Sequence, residues 1–243
     1  MHRDLTLPIA LILLLITFFI MLNFQSIRTT AMQKVPYNWA LIENLLSTEA
    51  SLELAASFPH EEFRLSEGEG YGYLWGKMLA TSDDISLMLK LSDNRWRERM
   101  EQGRLTSDLG HLSHVWQQLI EGLWTDSYRA ALSELSGLEL NNCVMDIGLR
   151  RYNVGQWHLP HTDEPNKVLT HLLFFNQQWS VDWGGCLRIL NDSQPESIFQ
   201  DILPLSHSSV AIVRSDNSWH MVTPLEPSAS ESRLALRVAF FRI

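Results

Sequence analysis

The second half of the chain sets the tightest limit on its fold. Eight short strand-like runs follow one another at residues 144–152, 156–163, 168–176, 185–190, 198–203, 209–214, 220–224 and 233–241, with short connections between them. Successive side chains of a strand point to opposite faces. Many short strands separated by turn signals indicate a sandwich or barrel. Eight of them fit a double-stranded β-helix, the jelly roll. No internal repeat and no low-complexity tract interrupts the chain.

The first half has a different period. Residues 47–58 read as a helix opened by Ser47 and Thr48 and stopped before Pro59. Residues 85–91 are apolar with helical spacing, and 109–123 and 126–135 read as amphipathic helices, the last stopped by Gly137. Residues 39–43 suit a short strand, and 67–73, rich in glycine and acid, read as a loop. The expectation is an α+β domain over 35–243, with a mainly helical support at 35–140 and a jelly-roll core at 144–243.

Ahead of it lies a segment of another kind. Residues 5–23 carry no charge and 7–24 are almost wholly apolar, just long enough for a spanning helix. The leading reading of residues 1–31 is a single membrane anchor, dispensable for chemistry. A signal peptide cleaved near Thr29-Thr30-Ala31 is one alternative. A soluble, cytoplasmic protein starting at Met32 is the other.

The chain has 243 residues and a formal net charge of −9, with no run of Lys and Arg to form a basic groove, so a nucleic-acid partner is not expected. Cys143 and Cys186 lie in strand-like runs with no CxxC spacing and are read as free thiols.

His161-Thr162-Asp163 carries the chemistry. In a strand, residues i and i+2 share a face, so His161 and Asp163 can converge on one metal while Thr162 points away. Two histidines and a carboxylate on one face of an octahedron leave three positions open, the arrangement of Fe(II) oxygenases. The third ligand should come from a distant strand, and His220 is the candidate. A lone His-x-Asp is more often a surface turn. The order of features is what raises it: strand, His-x-Asp, apolar strand, Gly184-Gly185 strand, distal His, then a basic residue in a last strand.

These residues resemble a known family. Tyr152-Asn153-Val154-Gly155, His161-Thr162-Asp163, Leu169-Thr170 through Phe175-Asn176, Trp179, Gly184-Gly185-Cys186-Leu187-Arg188, His220-Met221-Val222-Thr223-Pro224 and the final strand from Arg233 look like the prolyl 4-hydroxylase-like branch of the Fe(II)/2-oxoglutarate dioxygenases. The likeness is close from Tyr152 onward and looser over 35–140. It implies Fe(II) held by His161, Asp163 and His220. It implies 2-oxoglutarate and O2 as co-substrates and admits ascorbate. It also implies hydroxylation of a substrate C–H with release of succinate and CO2. Asp163 argues against halogenation, because halogenating relatives lack the carboxylate.

The far carboxylate of 2-oxoglutarate would sit inside the barrel, where a guanidinium suits it. Arg233 is the expected partner and Arg237 the rival, since i and i+4 share a strand face. The resemblance adds Tyr152 and Thr170 to this pocket. Phe174 departs from the tyrosine many relatives carry. For Tyr152 and Thr170 the plain alternative is strand packing.

Other candidates are set aside. His111 and His114 lack a third ligand. His171 should face away from Thr170 as a structural residue. His158 and His207 have no evident partner, and Asp146 and Asp182 read as solvated or turn residues. Gly184-Gly185 is no phosphate loop and marks a tight approach beside a strand. A prolyl residue in a peptide is the first substrate by analogy. A free amino acid or small metabolite is the alternative, and a non-enzymatic cupin-like binding module is the alternative from another class. Specificity should reside in 61–75, 164–167 and 191–197.

Overall fold

The computed structural model describes residues 21–60, 63–91 and 94–243. Its strands are β1 (Trp39–Glu43), β2 (Arg64–Gly68), β3 (Tyr71–Leu79), β4 (Leu105–Thr106), β5 (Cys143–Tyr152), β6 (Trp157–His161), β7 (Lys167–Phe174), β8 (Leu187–Leu190), β9 (Ile198–Ile202), β10 (Ser208–Val213), β11 (His220–Val222) and β12 (Arg233–Arg242). Its helices are α1 (Phe24–Thr29), α2 (Thr48–Ala56), α3 (Ser82–Met88), α4 (Arg95–Glu101), α5 (His114–Leu123) and α6 (Asp126–Ser136).

All eight expected strands form, and their order is that of a jelly roll. One layer runs β5-β12-β7-β10 and the other β6-β11-β8-β9, so the chain passes back and forth between two layers. β1 extends the first layer at β10, and β3 joins the two by pairing with both β5 and β6. Every pairing but the short β3–β4 contact is antiparallel.

Helices cover the outer face of the β5-β12-β7 layer. Met145, Ile147 and Leu149 of β5 and Leu236, Val238 and Phe240 of β12 enter the largest apolar core, with Trp116, Leu119 and Leu132 of the helices. Each of these side chains is at most 4% exposed, and a large apolar side chain buried this far contributes about 1.5–3 kcal/mol. The helix ends follow from local chemistry. Ser47 and Thr125 oxygens accept the Ala50 and Tyr128 amides, satisfying donors that the first turn leaves free. Gly137 closes α6 at φ 73°, a left-handed conformation that glycine adopts at little cost.

Two expectations change. The acidic, glycine-rich stretch expected as a loop is a hairpin, β2 and β3 turning at residues 69–70. Its glycines are turn residues, while Tyr71, Tyr73 and Trp75 recur at period two. The packed body also begins earlier than residue 35. Met21 and Ile27 are buried in the main core, Leu22 bridges Leu46, and the Phe24 ring lies 5.9 Å from Tyr128. The anchor expected over 7–24 lies outside the described residues apart from these last few. Among the described residues no helix is long and apolar enough to cross a membrane.

Candidate metal centre

His161 ends β6, Asp163 follows two residues on, and His220 opens β11. His161 and His220 are directly opposed partners of the β6–β11 ladder, and opposed residues of an antiparallel pair are close neighbours. The i, i+2 spacing brings in Asp163. One donor atom from each of the three lies within 4.8 Å of the others.

Hydrogen bonds fix which imidazole nitrogens remain free. His161 Nδ1 is 2.8 Å from the Leu159 carbonyl oxygen and His220 Nδ1 is 2.9 Å from that of Ser218. A carbonyl can only accept, so each Nδ1 carries the proton and each Nε2 keeps its lone pair. Burial first, then the neighbouring His220 and His158, holds His161 well below the usual histidine range. Burial likewise lowers His220. Both rings are therefore neutral at ordinary pH, the form that ligates a metal.

Asp163 is the opposite case. Burial alone would raise its pKa, but the Lys167 ammonium, His220 and hydrogen bonds from Lys167 and Thr170 outweigh it and hold the carboxyl far below the usual range. Lys167 Nζ lies 2.5 Å from Oδ1, and the Thr170 hydroxyl donates to Oδ2 at 2.6 Å. The sequence placed Thr170 in the 2-oxoglutarate pocket. Thr170 lines the cavity at this site, and its hydroxyl donates to Asp163.

A cavity of about 430 Å³ opens beside these three residues and also reaches Thr170, Tyr152 and Arg233. Arg233 is 2% exposed, and its Nε and Nη2 have no hydrogen-bond partner. Its guanidinium carbon lies 5.0 Å from the Tyr152 ring centroid and 5.2 Å from that of Phe174. Tyr152 is pushed up to about 12 by burial, against the pull of Arg233, so its hydroxyl stays protonated. Arg237, on the same face of β12, is taken up by Asp146 at 2.5 Å. Of the two arginines the sequence offered, Arg233 is the one with buried donors and no carboxylate.

Several residues at the site escaped the sequence reading. His158 stacks on His161 with ring centroids 3.7 Å apart, and Tyr71 and Tyr73 pack on it at 5.6 and 5.8 Å. Burial lowers its pKa to about 4. Asp146, expected as a solvated or turn residue, is fully buried in the ion pair with Arg237. The aromatic alternation at Tyr71, Tyr73 and Trp75 was the available signal for a strand facing this cavity, and all three line it. His171 faces outward, as expected, with Nδ1 2.7 Å from the Tyr128 hydroxyl. Gly184 and Gly185 both have φ 64°, and a Cβ at Gly184 would lie 2.0 Å from the Pro224 carbonyl oxygen, which is the tight approach expected there.

Residues 147–241 match the family model described as the 2OG-Fe(II) oxygenase superfamily. The fold is similar to that of a Pseudomonas putida prolyl-4-hydroxylase, with a TM-score of 0.60 at 18% identity over 90% of this chain and 97% of that one. It is similar to a Trichoplax adhaerens prolyl hydroxylase solved with a hypoxia inducible factor peptide fragment, with a TM-score of 0.53 at 17% identity over 84% and 83% of the chains. A 2OG-Fe(II) oxygenase family oxidoreductase from Burkholderia pseudomallei gives 0.54 at 10% identity over 84% and 85%. No curated protein matches the chain in sequence. Over residues 147–241, which hold His161, Asp163 and His220, the chain is similar to the 2OG-Fe(II) oxygenase superfamily, and that match indicates an oxidoreductase of the kind that uses Fe(II), 2-oxoglutarate and O2 rather than the cupin-like binding module.

Proposed function

We propose that this protein hydroxylates a substrate C–H, with His161, Asp163 and His220 holding Fe(II) and Arg233 holding the far carboxylate of 2-oxoglutarate. One observation carries the reading: a three-residue metal cluster in its ligating protonation state shares a cavity with a buried guanidinium whose Nε and Nη2 lack partners. Leaving such donors unpaired in a buried site is costly, and a carboxylate would satisfy both in the forked geometry that arginine offers.

The bound iron would supply activation of O2, coupled to decarboxylation of 2-oxoglutarate to succinate and CO2. The chain's own residues bind and orient. The Leu159 and Ser218 carbonyls hold the two imidazole rings by Nδ1 and leave each Nε2 free to ligate. Lys167 and Thr170 keep Asp163 ionised and fix its plane. Tyr152 and Phe174 flank Arg233 and keep water from its faces, so the carboxylate it holds meets little competition.

A prolyl residue is the first substrate to test, because two of the similar structures are prolyl hydroxylases. The test begins without any substrate. Protein reconstituted with Fe(II) should convert 2-oxoglutarate slowly to succinate, and His220→Ala should not. No succinate from the parent protein would sink the reading. A peptide and metabolite panel scored for the gain of one oxygen atom would then identify the substrate.

A further inference from the structure

Seven cationic side chains and three carboxylates line the cavity, on a chain whose net charge is −9. The carboxylates are already engaged: Asp163 by Lys167, Asp146 by Arg237, Glu164 by Arg95. Arg233 belongs to the 2-oxoglutarate end. Arg99, Arg104 and Arg150 remain, and none of them forms a salt bridge to a carboxylate among the described residues.

All three line the same cavity as Arg233 and pack on the aromatic side chains Tyr73, Trp75 and Trp96. The Arg150 guanidinium is folded back along β5 over Gly148, where a Cβ would meet its Nη1 at 2.9 Å. Gly148 pairs across the sheet with Arg237, which lies four residues, about 13 Å of strand, beyond Arg233. Tyr73 and Trp75 support Arg150 at 5.3 and 6.0 Å. Arg104 also packs on Trp75, with its guanidinium 3.9 Å from that ring centroid. Arg99 comes from α4, packed over Trp96 at 5.2 Å. Burial lowers both Arg99 and Arg150; Asp146 offsets part of this for each, while Arg237, Arg95 and Arg150 press on Arg99 and Arg237 presses on Arg150. Guanidiniums do not shed their protons to relieve this. An anion would.

We propose that this end of the cavity, built from Arg99, Arg104 and Arg150, binds a carboxylate or phosphate of a small-molecule substrate. The inference rests on the assignment of Arg233 to 2-oxoglutarate. A small molecule fits better than a macromolecule because the charges lie inside a cavity of about 430 Å³, the size class of small-ligand sites. Contacts with the Trp75, Tyr73 and Trp96 rings hold the guanidiniums in place, so they need little reordering when an anion arrives.

The test fills the 2-oxoglutarate end first. Protein loaded with Mn(II) and saturated with N-oxalylglycine, an unreactive analogue of 2-oxoglutarate, is titrated calorimetrically with glutarate, glutaramide and inorganic phosphate. Glutarate or phosphate should bind, and glutaramide should bind at least about 10-fold more weakly, the lower end of what loss of a close charge pair gives. Arg150→Gln and the half-exposed Arg99→Gln should each weaken the anion about 10-fold, while Arg150→Lys restores part of the loss. No anion binding with the analogue in place, equal binding of glutaramide, or unchanged affinity in both Gln variants would overturn the proposal. A capped glutamyl peptide that bound when free glutarate did not would overturn the small-molecule assignment. If N-oxalylglycine itself failed to bind, the role given to Arg233 would fall, and this inference with it. Intact analogue binding with no further anion site would fell only the inference.

Discussion

The two faces of β12 differ by a one-residue offset and do opposite things. Leu236, Val238 and Phe240 point outward into the helical layer, fully buried among apolar neighbours. Arg233 and Arg237 point inward to the cavity, beside Tyr152 and Asp146 of β5. The outer face stabilises the fold by burying apolar area. The inner face is a cost to the fold, since it keeps guanidiniums and carboxylates out of water. Under the proposed function, the charge without a protein partner, Arg233, is the one that a ligand would pair. The same offset predicts which substitutions remove chemistry and which remove stability.

The sharpest way to break this contrast is at the metal cluster. His220→Ala should reduce Fe(II)-dependent succinate formation to background while the fold survives, because its side chain faces inward and adds no apolar core. Asp163→Ala should abolish activity too but also lower stability, because it strands the buried Lys167 ammonium. Circular dichroism and metal content, read together, decide it. Activity retained in His220→Ala would move the third ligand elsewhere.

A smaller effect separates the two arginines. Arg233→Ala should raise the 2-oxoglutarate concentration needed for half-maximal turnover by about 30- to several-thousand-fold, the 2–5 kcal/mol expected for a desolvated charge pair. Arg237→Ala should act chiefly on stability, because it strands the fully buried Asp146, at a cost of about 3–5 kcal/mol. The reverse pattern would reassign the co-substrate carboxylate to Arg237.

The outer face is tested by shortening the chain. A chain beginning at Met32 loses the buried Met21 and Ile27, the backbone bonds Asn23 N to Leu45 O (2.7 Å) and Ser47 N to Met21 O (3.1 Å), and the Arg28–Glu134 ion pair. Two large core side chains at about 2–5 kcal/mol each are a serious fraction of the total stability of about 5–15 kcal/mol. The urea midpoint should fall well below that of a chain beginning at Met21. Equal midpoints would restore the boundary expected near residue 35.

That boundary shows where the sequence stops being readable. The eight strands were legible because each spells its period locally, and the metal cluster because its spacing and order encode a geometry. Arg233 was legible as a basic residue in the last strand, but its distinction from Arg237 depends on Asp146, a residue 91 positions away. α1 is only six residues long and abuts an apolar run, so its packing on α6 has no local signature. The β2–β3 hairpin was masked by its own turn glycines. His158 could not be seen at all, because its contact with His161 needs the β6 irregularity opposite β11.

The smallest predicted effect comes from the outward-facing His171, and it is visible only as a pH dependence. The ring is fully buried, with Nδ1 bonded to the Tyr128 hydroxyl and Nε2 without a partner. Burial pushes its pKa down to about 3, whereas in the unfolded chain it titrates near 6.5. Between these values the unfolded state binds the proton and the folded state does not, so stability must fall as pH drops from about 6.5 toward 3. The slope is at most about 1.4 kcal/mol per pH unit for one such group. His158, also lowered by burial, contributes in the same direction, so the wild-type curve alone does not isolate His171. His171→Gln does, because the amide oxygen can still accept from Tyr128 but takes up no proton. Urea midpoints at pH 7.5, 6, 5 and 4.5 should converge or cross: the wild type loses stability relative to the variant at each step below 6.5, while above pH 7 the difference reports packing alone. Parallel curves would mean that His171 is charged in the folded state, or that the unfolded chain does not expose it.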